Sequence, residues 1–164
     1  MKRVSLLAVA TGLSLIVMNR TAAADEPAHI VLNNADIKWG DAPPMMPAGA
    51  KMAVLFGDPS KPGPFVVRLK MPANYSIQAH WHPTDEIVTV ISGNGAFGLG
   101  DKLDRKLLHP LGPGSFVVAP AKHNHFVTTK SGWVVQVAAE GPFAMTYVNP
   151  ADDPSTKPQP KKSP

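Results

Sequence analysis

An all-β domain, a sandwich or barrel of short strands, is the fold class that this sequence predicts. Three observations lead there. Between about residues 28 and 148 no segment carries a convincing helical apolar period. Short apolar or alternating runs recur in its place, and clusters of Gly, Pro and Asn separate them.

The runs follow in order. Ala53–Phe56 is a short strand stopped by Gly57-Asp58-Pro59. Phe65–Lys70 alternates Phe65, Val67 and Leu69 against Val66, Arg68 and Lys70, the two-residue period of a half-buried strand. A turn at Pro72-Ala73-Asn74 leads to strands at 76–82 and 86–92, parted by Pro83-Thr84-Asp85. Gly93-Asn94-Gly95 is a hairpin signal, because these residues accept the positive φ of tight turns. Strands at 96–99, 107–109, 115–119, 125–129, 133–139 and 144–148 complete about ten.

The two ends read differently. Lys2 and Arg3, the apolar run Val4 to Met18 and the small residues Ala22-Ala23-Ala24 are the parts of a secretory signal peptide. The run is short beside the ~20 residues of a membrane span. Residues 1–24 are therefore expected to be removed, leaving a periplasmic or secreted chain with no membrane attachment. The net charge is +4, but Lys2, Arg3 and Arg20 carry three of those charges, so residues 25–164 keep only +1. No basic stripe with interleaved aromatics is present, which argues against a nucleic-acid partner. The chain has no cysteine, which excludes thiolate ligands and a cysteine nucleophile. From Asn149 to Pro164 prolines crowd a stretch without apolar periodicity, and a flexible tail is expected. The domain organisation is thus a signal at 1–24, a β domain at 25–148 and a tail at 149–164.

Chemistry concentrates in two short segments. HWHPTDEIVTVISG, residues 80–93, places His80 and His82 two apart, and hence on one strand face. Pro83 and the residues after it bend the chain, so that Glu86 can return to the same side. About forty residues on, His123 and His125 repeat the alternation after Pro120. Imidazoles with one carboxylate suit a divalent transition metal: Fe, Mn, Ni, Co, Cu or Zn. The same alternation also occurs on the solvated face of an ordinary β-protein. The histidine–carboxylate combination is what favours a metal.

These segments resemble the motifs of the cupin superfamily. The first, G-x5-H-x-H-x3,4-E-x6-G, is matched at Asn74, His80, His82, Glu86 and Gly93. The second, G-x5-P-x-G-x2-H-x3-N, is matched at Gly114, Pro120 and His125, with Lys122 and Thr129 replacing its later Gly and Asn. The resemblance covers about residues 50–148 and implies a double-stranded β-helix, or jelly-roll barrel. It also implies one metal held by His80, His82, Glu86 and His125. His123 is a rival for His125; otherwise it would stand behind the ligands or at the pocket mouth and move protons in catalysis. The flanking text, GDPSKPGPFVVRLKMP and Gly141-Pro142-Phe143, resembles small exported cupins and the cupin-like domain of zinc-dependent anti-sigma factors.

Three function classes follow from the resemblance. A metal-dependent dioxygenase acting on a small organic molecule in the barrel ranks first, because the ligand set is complete and leaves open positions. A metal-assisted hydrolase, isomerase or decarboxylase and a non-enzymatic sensing module are the others. The likeness further implies a homodimer. Outside the motifs, His29 and His109 are expected on the surface, and Trp81 and Trp133 in packing. Phe97, Val118 and Phe126 are candidate pocket walls, and Met45, Met46 and Met52 are expected to pack on the barrel end. The charged tip at Asp101–Lys106 reads as a solvated loop.

Overall fold

A computed structural model describes residues 29–157. The expected signal segment at 1–24 and residues 158–164 of the expected tail lie outside the described residues. The chain divides after Val31, and the fold below concerns the unit that begins at Leu32. Among the described residues no helix is long and apolar enough to cross a membrane.

Among the described residues eleven strands form two antiparallel sheets. They are β1 (Gly40–Asp41), β2 (Lys51–Phe56), β3 (Gly63–Met71), β4 (Tyr75–Trp81), β5 (Glu86–Gly93) and β6 (Gly95–Leu99). The rest are β7 (His109–Leu111), β8 (Phe116–Ala119), β9 (His125–Thr129), β10 (Trp133–Gly141) and β11 (Thr146–Tyr147). One sheet has the order β1-β2-β3-β10-β5-β8 and the other β11-β4-β9-β6-β7. This is the expected jelly-roll, with the chain changing sheet at every connection from β3 to β11 except that between β6 and β7.

The core lies between the sheets, and period-2 patterning builds it. On β3 Phe65, Val67 and Met71 are buried; on β10 Trp133, Val135 and Val137 are buried, each alternating with more exposed neighbours. Burying one such side chain contributes roughly 1.5–3 kcal/mol relative to exposure. Trp133 is a packing residue, its Nε1–H directed at Met71 Sδ at 3.0 Å. The segment before β2 closes one end of the barrel. Tyr75 Oη donates to the Pro47 carbonyl at 2.6 Å, and Tyr147 Oη to that of Met45 at 2.8 Å.

Three expectations change. The strand expected at 107–109 is a 3-10 turn at Arg105–Leu107 followed by β7, because Asp104 accepts from Lys106 N–H at 2.9 Å and caps the turn. β1 has no sequence signal beyond two residues and was not anticipated. Part of the expected flexible tail is ordered as 3-10 turns at Pro150–Asp152 and Pro154–Thr156. Asn149 and Asp153 cap these turns, and each proline occupies the first position, where its missing donor costs nothing.

Candidate metal centre

The parity of β4 changes along its length, and this change makes the site. Tyr75, Ile77 and Ala79 are buried at odd positions, whereas beyond them the buried histidines are His80 and His82. The pairing of β4 with β9 shifts register between Ile77 and His80. Such an irregularity re-aims the side chains that follow it. His80 then pairs with His125, the first residue of β9. Glu86 comes from the facing sheet, where β5 begins between Ala119 of β8 and Ala139 of β10.

His80, His82 and His125 are each at most 3% exposed. One ring nitrogen from each lies within 4.8 Å of the others. The Glu86 carboxylate stands 3.4 Å from His125 Nε2 and 3.7 Å from His82 Nε2. Each ring also has a backbone partner. Nδ1–H donates to the carbonyl of Gln78 from His80 (2.7 Å), of Ala144 from His82 (2.7 Å) and of His123 from His125 (3.0 Å). A carbonyl can only accept, so each ring carries a proton on Nδ1, and in the neutral ring Nε2 keeps its lone pair. Nε2 of His82 and of His125 is buried without a hydrogen-bond partner among the described residues. Lone pairs held inward by backbone acceptors are how protein imidazoles meet a metal.

The electrostatics agree. Burial, with the His125 and His82 rings adding to it, pushes His80 down to about 3. Burial likewise lowers His82, only partly opposed by Glu86. Burial alone would raise Glu86, but His125 and then His82 hold it below the ordinary carboxylate value. The imidazoles of His80 and His82, held neutral by burial beside an ionised, buried carboxylate, leave a negative charge in want of a cation. Among the described residues the rings of His82 and His125 stand beside this carboxylate, and no Lys or Arg pairs with it. These donors fit one divalent transition ion, which the three histidines could hold with Glu86 beside them.

Two small cavities meet this cluster. One of about 50 Å³ borders His80, Glu86 and His125, with Phe97 and Val88 in its wall. The other, about 120 Å³, borders His82 and Glu86 and is walled by Met45, Met46, Met52, Phe143 and Met145 among others. Phe143 stacks on His82 with centroids 4.3 Å apart, and Phe97 on His125 at 5.2 Å.

His123 is exposed and borders neither cavity; the turn begun at Pro120 leaves its side chain on the surface. Its carbonyl, not its imidazole, serves the site by orienting His125. Of the candidate pocket walls, Phe97 is one. Val118 is 48% exposed on the outer face of its sheet, and Phe126 is fully buried but borders neither cavity. His29 and His109 are exposed. The methionines at 45, 46 and 52 do close the barrel end, and in doing so become cavity wall. Sequence reasoning missed Phe143 and the Ala144 carbonyl; the Gly141-Pro142-Phe143 segment was their only signal.

The departures from the two motifs have structural answers. Asn74 (φ 58°) and Lys122 (φ 62°), standing where the motifs have glycine, are the positive-φ non-glycine residues among those described. Lys122 N–H donates to the His82 carbonyl at 2.8 Å, which ties the second motif to the first. Thr129 replaces the motif asparagine and fixes two turns, donating to the Asn94 carbonyl at 2.6 Å and accepting from Gly132 N–H at 2.9 Å.

Fold and site together define a cupin-type double-stranded β-helix with three buried histidines able to hold a metal. Solved structures share that fold. The polyketide cyclase RemF from Streptomyces resistomycificus is 17% identical with a TM-score of 0.66, over 78% of this chain and 91% of that one. An RmlC-like cupin from Shewanella frigidimarina is 13% identical with a TM-score of 0.54, over 69% and 91%. The DMSP lyase DddQ from Ruegeria pomeroyi is 22% identical with a TM-score of 0.55, over 69% of this chain and 61% of that protein. At these identities the likeness is one of fold. No curated protein matches the chain. Residues 14–146 match the family model described as Domain of unknown function (DUF4437), and the chain belongs to that family.

Proposed function

We propose that this chain is an exported metal-dependent oxygenase of a small, largely apolar organic molecule, with the ion held by His80, His82, Glu86 and His125. One observation carries the reading. The cavities beside the cluster are walled mainly by Met, Phe, Val, Leu and Pro, and among the described residues the titratable side chains bordering them are the proposed ligands. A hydrolytic or isomerising site needs a group placed to move protons. None borders the cavities among the described residues, and His123 points elsewhere. When bound, a divalent transition ion with open positions supplies Lewis-acid and redox chemistry toward dioxygen and an organic ligand.

The chain's own residues do the rest. Backbone acceptors hold the three imidazoles in one tautomer and orientation, and Glu86 offsets charge. Phe143 and Phe97 brace His82 and His125 by stacking. The methionine wall excludes water while adapting its shape to an apolar ligand. A molecule bound there satisfies its polar group at the ion, since the walls offer it no other partner.

Metal analysis of protein exported by its host, followed by oxygen uptake with a panel of enediols, thiols and phenols, tests this. Uptake is expected with at least one class and lost in His82→Ala. If fully metal-loaded protein consumes no oxygen with any of them, the oxygenase reading fails. Turnover without oxygen would then indicate a lyase or isomerase, and an inert but metal-loaded chain a sensing module.

A further inference from the structure

The outer face of the sheet β11-β4-β9-β6-β7 carries a third, larger concavity, open to solvent and about 600 Å³ in volume. Its lining shares no residue with the two cavities at the metal cluster, and among the described residues neither a histidine nor a carboxylate lines it. Its volume falls within the ~300–1,000 Å³ range of small-molecule sites.

Strand register builds its floor. Ser76 of β4 pairs with Thr128 of β9, and Thr128 with Ala96 of β6, so three small side chains lie in one row across three strands. Gln78, two residues past Ser76, shares that face. The loop after β6 forms a roof, contributing Leu103, Arg105 and Leu108; Lys130 stands at the end of β9.

The roof loop sorts its charges. Asp101 accepts from Asn124 Nδ2 at 2.7 Å, and Asp104 is used in capping Lys106 N–H. Both aspartates are thus engaged elsewhere, and Arg105 is the charged residue of the loop that lines the groove. Among the described residues the side chains of Ser76, Gln78, Thr128, Arg105 and Lys130 make no hydrogen bond or ion pair. A merely solvated sheet face has no need of a leucine-bearing roof or of charge of a single sign.

We infer that this groove binds an anionic, hydroxyl-rich molecule of sugar size. The guanidinium and ammonium meet its phosphate or carboxylate, because Arg offers paired donors and Lys a compact charge. Two hydroxyls and an amide, which both donate and accept, match ligand hydroxyls. Leu103 and Leu108 cover the C–H face of a ring. The inference does not depend on the chemistry proposed for the metal centre.

Two-dimensional NMR of the full mature chain tests it, with glucose 6-phosphate and glucuronate as probes and glucose and inorganic phosphate as controls. Saturable shifts at the amides of Ser76, Gln78, Ala96 and Thr128 are expected with a charged sugar, and the tighter of the two assigns the anion as phosphate or carboxylate. Arg105→Gln and Lys130→Gln should each weaken that binding about tenfold, the loss of one charge-assisted hydrogen bond, with the melting temperature unchanged. Thr128→Val should weaken the charged sugar more than inorganic phosphate. The inference is overturned if neither charged sugar moves these amides or if the charge variants bind like the wild type. It is equally overturned if inorganic phosphate binds as tightly as the sugars, which would reduce the groove to an unselective anion patch.

Discussion

Acidifying the metal-free protein should destabilise it well above the pH at which carboxylates titrate. The cause is the burial that pushes His80 from its ordinary 6.5 down to about 3. The unfolded chain takes up a proton on this histidine below pH ~6.5 while the folded chain resists until about 3. Stability is therefore greatest above the unfolded value and is lost as pH falls between the two. The slope for one proton is about 1.4 kcal/mol per pH unit. Going from pH ~6.5 to pH ~5 then costs about 2 kcal/mol from His80 alone. His82 is lowered for the same reason and adds to the loss. Glu86 acts in a separate window. Its folded value is depressed from 4.5, so its contribution is intact above 4.5 and declines only at lower pH. For a domain of this size 2 kcal/mol corresponds to a fall in Tm of order 5–10 °C. Calorimetry of chelator-treated protein at pH ~7, ~6 and ~5 measures this, and His80→Gln should flatten the slope. A Tm that stays level from pH ~7 to ~5 would show that His80 is not held neutral by burial, and the account of the site's electrostatics would fall with it.

The remaining predictions concern individual residues. His125→Ala should lose most of the bound metal by elemental analysis whereas His123→Ala keeps it, because His123 serves the site through its backbone carbonyl; the reverse result would place the fourth ligand two residues earlier. Loading with the native metal should raise Tm, since the ion binds the folded chain preferentially, and an unchanged melting curve after verified loading would remove the metal from the stability argument. Gly93→Ala should destabilise by roughly 2–3 kcal/mol in denaturant unfolding. At φ 76° the new Cβ would fall on the Gly132 carbonyl oxygen and lie 2.8 Å from Trp133 Cα, both backbone atoms with no freedom to retreat. Lys122→Gly should do the opposite and stabilise by up to about 1 kcal/mol, because it relieves a left-handed residue at φ 62°; a loss of stability would mean that the lysine side chain has a role.

The positions of the strands were legible because most of them bury one face only. Alternation on β3 and β10 and the turn residues Gly93-Asn94-Gly95 each have a local physical meaning. The clustering of His80, His82, Glu86 and His125 was legible for a similar reason: spacing along a strand reports which side chains share a face. What stayed hidden depends on contacts distant in sequence. Ala144 is sixty-two residues from the His82 ring that it orients, and no local pattern announces such a partner. The 3-10 turn at Arg105–Leu107 rests on one capping aspartate within a run of charges that reads equally well as an exposed tip.

The least legible feature is also the one on which the site depends. Simple alternation along β4 from Tyr75, Ile77 and Ala79 would continue inward at Trp81 and send His80 and His82 to solvent. Both histidines face inward because the pairing with β9 slips between Ile77 and His80. Trp81 is then left half-buried, although its apolar bulk would favour the interior. Turning two imidazoles inward in place of an indole opposes the hydrophobic term, and the buried, unpartnered Nε2 atoms of His82 and His125 add a further cost. Hydrogen bonds from Nδ1 recover only part of it. A fold that keeps such an arrangement is most simply understood if a cation bound at Nε2 and Glu86 supplies the remainder, and this links the strand irregularity to the metal.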